Sequence, residues 1–166
     1  MPCTLLVMRH GKSAWDEPGV ADHDRNLTKR GKGDAHRIGE ALARQGLVPQ
    51  CIMTSTAKRA RATARRVAKE LDAKDVVEQH ALLYDSDAWT QLGLIASLGA
   101  EIDCAMVVGH NPSSEDLVAL LTGRKVLLKT ANVAWIELPI DDWGELLQAR
   151  RRGRLRGLLQ PKLLTV

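Results

Sequence analysis

Apolar residues along this chain gather in short unbroken runs that alternate with longer stretches of helical period. Thr4 to Met8 is a run of strand length without a charge, and Gln50 to Met53, Val76 to Glu78, Asp103 to Val108, Asn132 to Leu138 and Leu155 to Leu159 are further strand-like segments. After Thr28, a good cap residue, Ala35, Ile38 and Leu42 recur on one helical face and predict a helix to about Gln45 that stops at Gly46. Ala60, Ala64, Val67, Ala68 and Leu71 predict a second helix from about Ala57 to Leu71, with Arg61, Arg65, Arg66 and Lys69 on its solvated side. Asp85 to Asp87 offers caps for a third, from about Trp89 to Leu98, ended by Gly99. Ser113 with Asp116 forms a capping pattern ahead of Leu117, Val118, Leu120 and Leu121, a fourth helix closed by Gly123. The segment containing Pro139, Asp142 and Trp143 follows neither period.

Strands alternating with helices predict βαβ units, hence one three-layer α/β/α domain over residues 1–166 with a mainly parallel central sheet. No repeat, low-complexity tract or linker divides it. One connection breaks the rhythm: Lys12 to Asn26 is polar, contains Pro18 and Gly19, and is too long for an ordinary turn, so it reads as a substrate-facing loop.

At 166 residues and 45% hydrophobic content the chain supports a real core, since a domain of about 150 residues buries roughly 70% of its unfolded surface. A net charge of +4 and a pI of about 9.1 fit an anionic substrate or partner. The densest positive cluster is Arg150, Arg151, Arg152, Arg154 and Arg156, yet four Trp, one Tyr and no Phe leave few stacking platforms, which argues against nucleic acid as partner. Cys3, Cys51 and Cys104 have no framework spacing and sit in apolar runs, as small buried hydrophobes of a reducing compartment do. No N-terminal stretch resembles a signal peptide, and no apolar run approaches the roughly 20 residues a bilayer requires. The expectation is a cytoplasmic protein without membrane contact, its assembly state left open.

Three polar clusters stand directly after three predicted strands: Arg9-His10-Gly11, then Ser55 with Arg59, then Gly109-His110-Asn111. In open parallel sheets ligands bind beyond the carboxyl ends of the strands, so clusters distant in sequence converge there. Two guanidiniums and two imidazoles around one point suit a dianionic phosphoryl group, because each guanidinium offers forked donors that match its oxygens. An imidazole accepts a phosphoryl group only through an unprotonated nitrogen, with its other nitrogen donating to a fixed acceptor such as a carbonyl near Gly11. In that arrangement His10 is the acceptor, His110 a donor to the phosphoryl oxygens, and Gly11 lets the backbone approach the phosphate, with the start of the fourth helix aimed at the same region. His23, His36 and His80 carry no such pattern and read as ordinary loop, helix-face and connection residues.

These residues carry a family resemblance. Met8-Arg9-His10-Gly11 resembles the R-H-G signature of the histidine phosphatase superfamily, also called phosphoglycerate mutase-like. Arg9-His10-Gly11-Lys12-Ser13-Ala14-Trp15-Asp16, followed by Asp22-His23-Asp24-Arg25-Asn26-Leu27-Thr28-Lys29-Arg30-Gly31, is similar to its small SixA-type phosphohistidine phosphatase branch. Ser55 to Ala64 resembles the second block of the family and Val107 to Pro112 the third. The resemblance implies a metal-independent phosphatase without cofactor, in which His10 is phosphorylated and Arg9, Arg59 and His110 complete the catalytic and phosphate-binding set. Its partner is a phosphorylated protein bearing phosphohistidine, or alternatively a small phosphate ester. Two departures stand out. Ser55-Thr56 replaces the Ser-Pro of many members, and no carboxylate aligns with the general acid of the larger relatives, Asp85 beside Tyr84 being the nearest proton-donor candidate. An imidazole is easier to expel from phosphorus than an alkoxide, so the missing acid leans the expectation toward phosphohistidine.

Overall fold

In the computed structural model, which describes residues 2–164, the apolar runs become β1 (Cys3–Arg9), β2 (Cys51–Ser55), β3 (Val77–His80), β4 (Cys104–Gly109), β5 (Val133–Leu138) and β6 (Arg154–Leu159). They form one sheet in the order β3-β2-β4-β1-β5-β6. The first four are mutually parallel, and β5 runs against both of its neighbours. Side chains on a strand alternate between faces, so a sheet covered on both sides demands an unbroken apolar strand. β1 meets that demand. Leu5 and Val7 enter one core with Leu92, Ile95, Leu117 and Leu121, while Leu6 and Met8 enter the other with Ile38, Leu42, Ala64 and Val67. Helices α1 (Lys29–Arg44) and α2 (Lys58–Glu70) cover the second face, α3 (Ala88–Ile95) and α4 (Ser113–Thr122) the first.

The adjacent parallel strands β1 and β4 are thus followed by helices on opposite faces of the sheet. Their carboxyl ends open a crevice between the diverging connections, which is where an open sheet binds its ligand.

The predicted elements are all present, with local differences. Thr28 caps α1 as expected, accepting from the Gly31 N–H at 3.0 Å, and Gly46 follows the helix with a φ of +69°. α3 stops at Ile95 rather than Leu98, because Ser97 and Leu98 donate to Leu94 and Ile95 in tighter turns. Ser113 does not cap α4: Pro112 holds that position, and the Ser113 hydroxyl donates to the His110 carbonyl at 3.0 Å. The undecided segment near Trp143 is a 3-10 turn closed by an Asp142–Glu145 capping box, and the buried Trp143 indole donates to the Ile102 carbonyl at 2.7 Å. The arginine-rich segment does not form one basic face. Arg150 lies over Trp89, while Arg156 in β6 lies over Trp135 beside Glu137. Cys3 and Cys51 are buried, Cys104 is partly buried, and all three are free thiols. Among the described residues no helix is long and apolar enough to cross a membrane.

Candidate active site

The ends of β1, β2 and β4 bring the three predicted clusters together. His10 leaves β1 with its N–H on the Gly109 carbonyl at 3.0 Å, which keeps it in line with β4, and His110 follows β4 directly. Arg59 lies in the first turn of α2 on the buried face that also carries Ala60, Thr63, Ala64 and Val67, so the helix aims it at the sheet edge. Its Nε is 3.3 Å from His10 Nε2, and a terminal nitrogen is 3.4 Å from His110 Nδ1. The two imidazole rings are 5.1 Å apart between centroids. Arg9, Trp15, Asp22, Arg25, Tyr84 and Asp85 join them in lining an open cleft of about 480 Å³.

Hydrogen bonds settle the tautomers. His10 Nδ1 is 2.7 Å from the Gly11 carbonyl, which only accepts, so Nδ1 carries the proton and Nε2 is bare toward the cleft. A guanidinium only donates, so His110 Nδ1 is bare as well, and its Nε2–H is held on Ser55 Oγ at 2.8 Å. Burial pushes the His10 pKa down from 6.5 to about 3, the Gly11 hydrogen bond opposing and the charges of His110, Arg59 and Arg9 assisting. His110 falls to about 4, again chiefly through burial and then through Arg59.

Between these values and 6.5 the unfolded chain binds protons that the folded chain does not, so acid favours unfolding. Thermal denaturation of the ligand-free protein should therefore show a midpoint that falls as pH drops from about 6.5 toward about 4. His110→Asn, which removes one of the two groups, should make that fall shallower. Identical slopes would mean that the His110 ring is not held neutral by burial.

Arg9 also faces the cleft, with one terminal nitrogen on the Leu128 carbonyl at 3.2 Å. Its Nε is buried and has no hydrogen-bond partner among the described residues. Gly11 differs from the expectation of close backbone approach to an anion. Its N–H donates to Thr63 Oγ1 at 3.0 Å, and an added Cβ would lie 2.9 Å from the Gly31 carbonyl, so the missing side chain lets this turn pack on α1. Thr63 in turn donates to the Arg59 carbonyl at 2.7 Å and ties the two turns together. Asp85 lines the cleft but is exposed and makes no hydrogen bond or ion pair with any described residue that would aim it at the histidines.

The fixed carboxylate is instead Asp22, in a 3-10 turn of the long polar loop. Its Oδ2 accepts from Tyr84 at 2.8 Å and from Arg59 at 3.2 Å, its Oδ1 accepts from Arg25 at 3.1 Å, and its carbonyl accepts from Arg59 at 2.7 Å. The Tyr84 hydrogen bond is the main cause that holds this carboxyl below its ordinary range; burial opposes it, and the charge and hydrogen bond of Arg59 add to the lowering. Arg25 is buried and lies 3.5 Å from the ring centroid of Trp15, which is 75% exposed at the cleft rim. His23 packs edge-on against Tyr84 and bonds Thr56. The loop expected to face a substrate lines the cleft through Trp15, Asp22 and Arg25, but the contacts of Asp22, Arg25 and Tyr84 do not follow from the sequence. The signals available were the place of Asp22 and Arg25 in the SixA-like segment and a solitary tyrosine beside the predicted caps of α3. Among the described residues no group of three or more His, Cys, Asp and Glu side chains has the spacing to hold a metal ion.

Comparison with known proteins gives the family and the fold. The model of the "Histidine phosphatase superfamily (branch 1)" matches residues 5–90. An uncharacterized chloroplastic protein of Arabidopsis thaliana is 30% identical over 168 residues, covering 95% of this chain and 77% of its own. A protein of Agrobacterium tumefaciens assigned as the phosphohistidine phosphatase SixA superposes with a TM-score of 0.81 at 27% identity, over 97% of this chain and 99% of that one. The protein histidine phosphatase SixA complexed with tungstate shares the fold with a TM-score of 0.82 at 23% identity, over 96% and 97% of the two chains.

Proposed function

Since the chain belongs to the histidine phosphatase superfamily, we propose that it hydrolyses phosphohistidine on a protein through a covalent intermediate on His10. The observation that carries this reading is the bare, buried Nε2 of His10, oriented by the Gly11 carbonyl and faced by a guanidinium. Nε2 attacks phosphorus in line. The substrate ring carries a proton from solvent on its other nitrogen, so as the new P–N bond forms and the old one breaks it departs with the electron pair as a neutral imidazole. Water then attacks phosphorus, releases inorganic phosphate and restores neutral His10.

The remaining groups exchange internal partners for phosphoryl oxygens. Arg59 gives up the two oxygens of Asp22 for two of the phosphoryl group, retaining a forked arrangement of donors. Arg9, which lines the same cleft, adds a second guanidinium to the phosphoryl oxygens. His110 is not a ready-made donor, because the nitrogen facing the cleft is bare. An entering dianion opposes the burial that keeps this ring neutral, so His110 takes up a proton and then donates it to an equatorial oxygen.

The substrate class follows from the leaving group. Among the described residues the carboxylate fixed in the cleft is Asp22, and Tyr84 and Arg59 keep it ionised, so it has no proton to give an alkoxide. A phosphoryl group on nitrogen leaves more readily without an acid. The likeness to the Agrobacterium protein points the same way.

Phosphate release from a phosphohistidine peptide and from alkyl monoesters such as a phosphoserine peptide separates the readings. We expect kcat/KM to favour phosphohistidine by about 100-fold or more, the scale a general acid supplies. A preference for alkyl monoesters would overturn the assignment in favour of a small-molecule phosphatase, with Asp85 at the rim as its proton donor.

A further inference from the structure

A second concavity adjoins the catalytic cleft on the same edge of the sheet. The register pairs Met8 with Val133 and Val133 with Leu159, so the residues that follow β1 and β6 and precede β5 emerge side by side. Between them lies a groove of about 300 Å³ whose charged lining is Lys12, Arg30, Lys129, Lys162 and Asp34, and Arg9 forms a wall of this groove as well as of the cleft. The charge is one-sided. Asp34 is buried and 3.6 Å from Arg30, which neutralises that pair. Lys12, Lys129 and Lys162 are exposed and make no ion pair with any described residue. Three uncompensated ammonium groups facing one hollow repel one another and attract anions, and a concave low-dielectric wall concentrates that field.

We infer that this groove binds an acidic stretch of the phosphoprotein substrate, holding carboxylates a few residues from the phosphohistidine while Arg9 joins the two sites. The inference rests on the proposed protein substrate and adds the recognition element that this reading lacks. Ammonium groups on flexible stems suit carboxylates of varied geometry, whereas the forked guanidiniums are kept for the phosphoryl group. An acidic flank would also speed encounter through the long-range field, an effect that salt suppresses.

The test uses two phosphohistidine peptides, one flanked by several Asp and Glu residues and one by Ser and Gly, together with the unphosphorylated acidic peptide carrying a fluorophore. In the double variant Lys129→Ala, Lys162→Ala, KM for the acidic peptide should rise about three- to tenfold with kcat unchanged, while the neutral peptide keeps its KM. Anisotropy should show the unphosphorylated acidic peptide binding the wild type more weakly as salt is raised, and binding the variant more weakly again. An acidic peptide that fails to bind, or one whose KM and affinity ignore the substitutions, sinks the groove. Binding that depends on the lysines, without phosphate release from either phosphohistidine peptide, leaves the groove standing and removes the proposed substrate.

Discussion

His10→Ala is expected to lose turnover of phosphohistidine by about 10⁴-fold or more, the scale observed when a covalent nucleophile is deleted. Wild-type protein quenched during turnover of labelled substrate should carry label in an acid-labile, base-stable form, as a phosphoryl group on imidazole does, and the variant should carry none. The size of the effect follows from geometry. Nε2 is the bare nitrogen of His10, held by a 2.7 Å hydrogen bond on the opposite side of the ring. His110 does not substitute for it, since its Nε2 is engaged with Ser55 and its Nδ1 faces the same guanidinium from another direction. Full activity in His10→Ala, with the fold intact by circular dichroism, would rule out covalent catalysis at this position.

The second large effect is at Arg59. Arg59→Ala should reduce kcat by about 100- to 1,000-fold, the usual result of removing a preorganised donor to developing charge, and should weaken competitive inhibition by inorganic phosphate. Arg59→Lys keeps the charge but loses the planar fork, so it should recover only a small part of either property. Three nitrogens of this side chain contact His10, His110 and Asp22, and a compact ammonium cannot span all three. A lysine variant with wild-type kcat and phosphate inhibition would show that charge alone suffices and that the fork is not used.

Much of this was readable from residue order because the responsible forces are local. The charge-free run of β1 already required two covered faces, and the cap at Thr28 and the stop at Gly46 bound α1 through hydrogen bonds within a few residues. Arg59 shared a buried helical face with Ala60, Ala64 and Val67, although a single arginine of α2 looks like any other until that face is traced. The resemblance around Met8 to Gly31 carried the same residues further than periodicity alone could.

Other features depended on where distant segments come to rest. Asp22 meets Arg59 across 37 positions and Tyr84 across 62, and no period or cap encodes the path of the loop that brings it there. The protonation pattern of the two histidines was equally hidden, since it depends on the Gly11 carbonyl for one ring and on Ser55 for the other. Ser113 offered a capping pattern, but the backbone of His110 lies within reach and takes its hydroxyl. Gly11 was recognisable as a necessary glycine, while the neighbour requiring it is Gly31 on α1. By itself, then, the amino-acid order determined the layers, the helical faces and which three strand ends carry the histidine and arginine clusters, because short-range sterics and hydrogen bonding specify those. Tertiary packing decided which nitrogen is bare, which carboxylate occupies the cleft and which lysines share a groove, because burial and charge act through distances in space that residue order does not record.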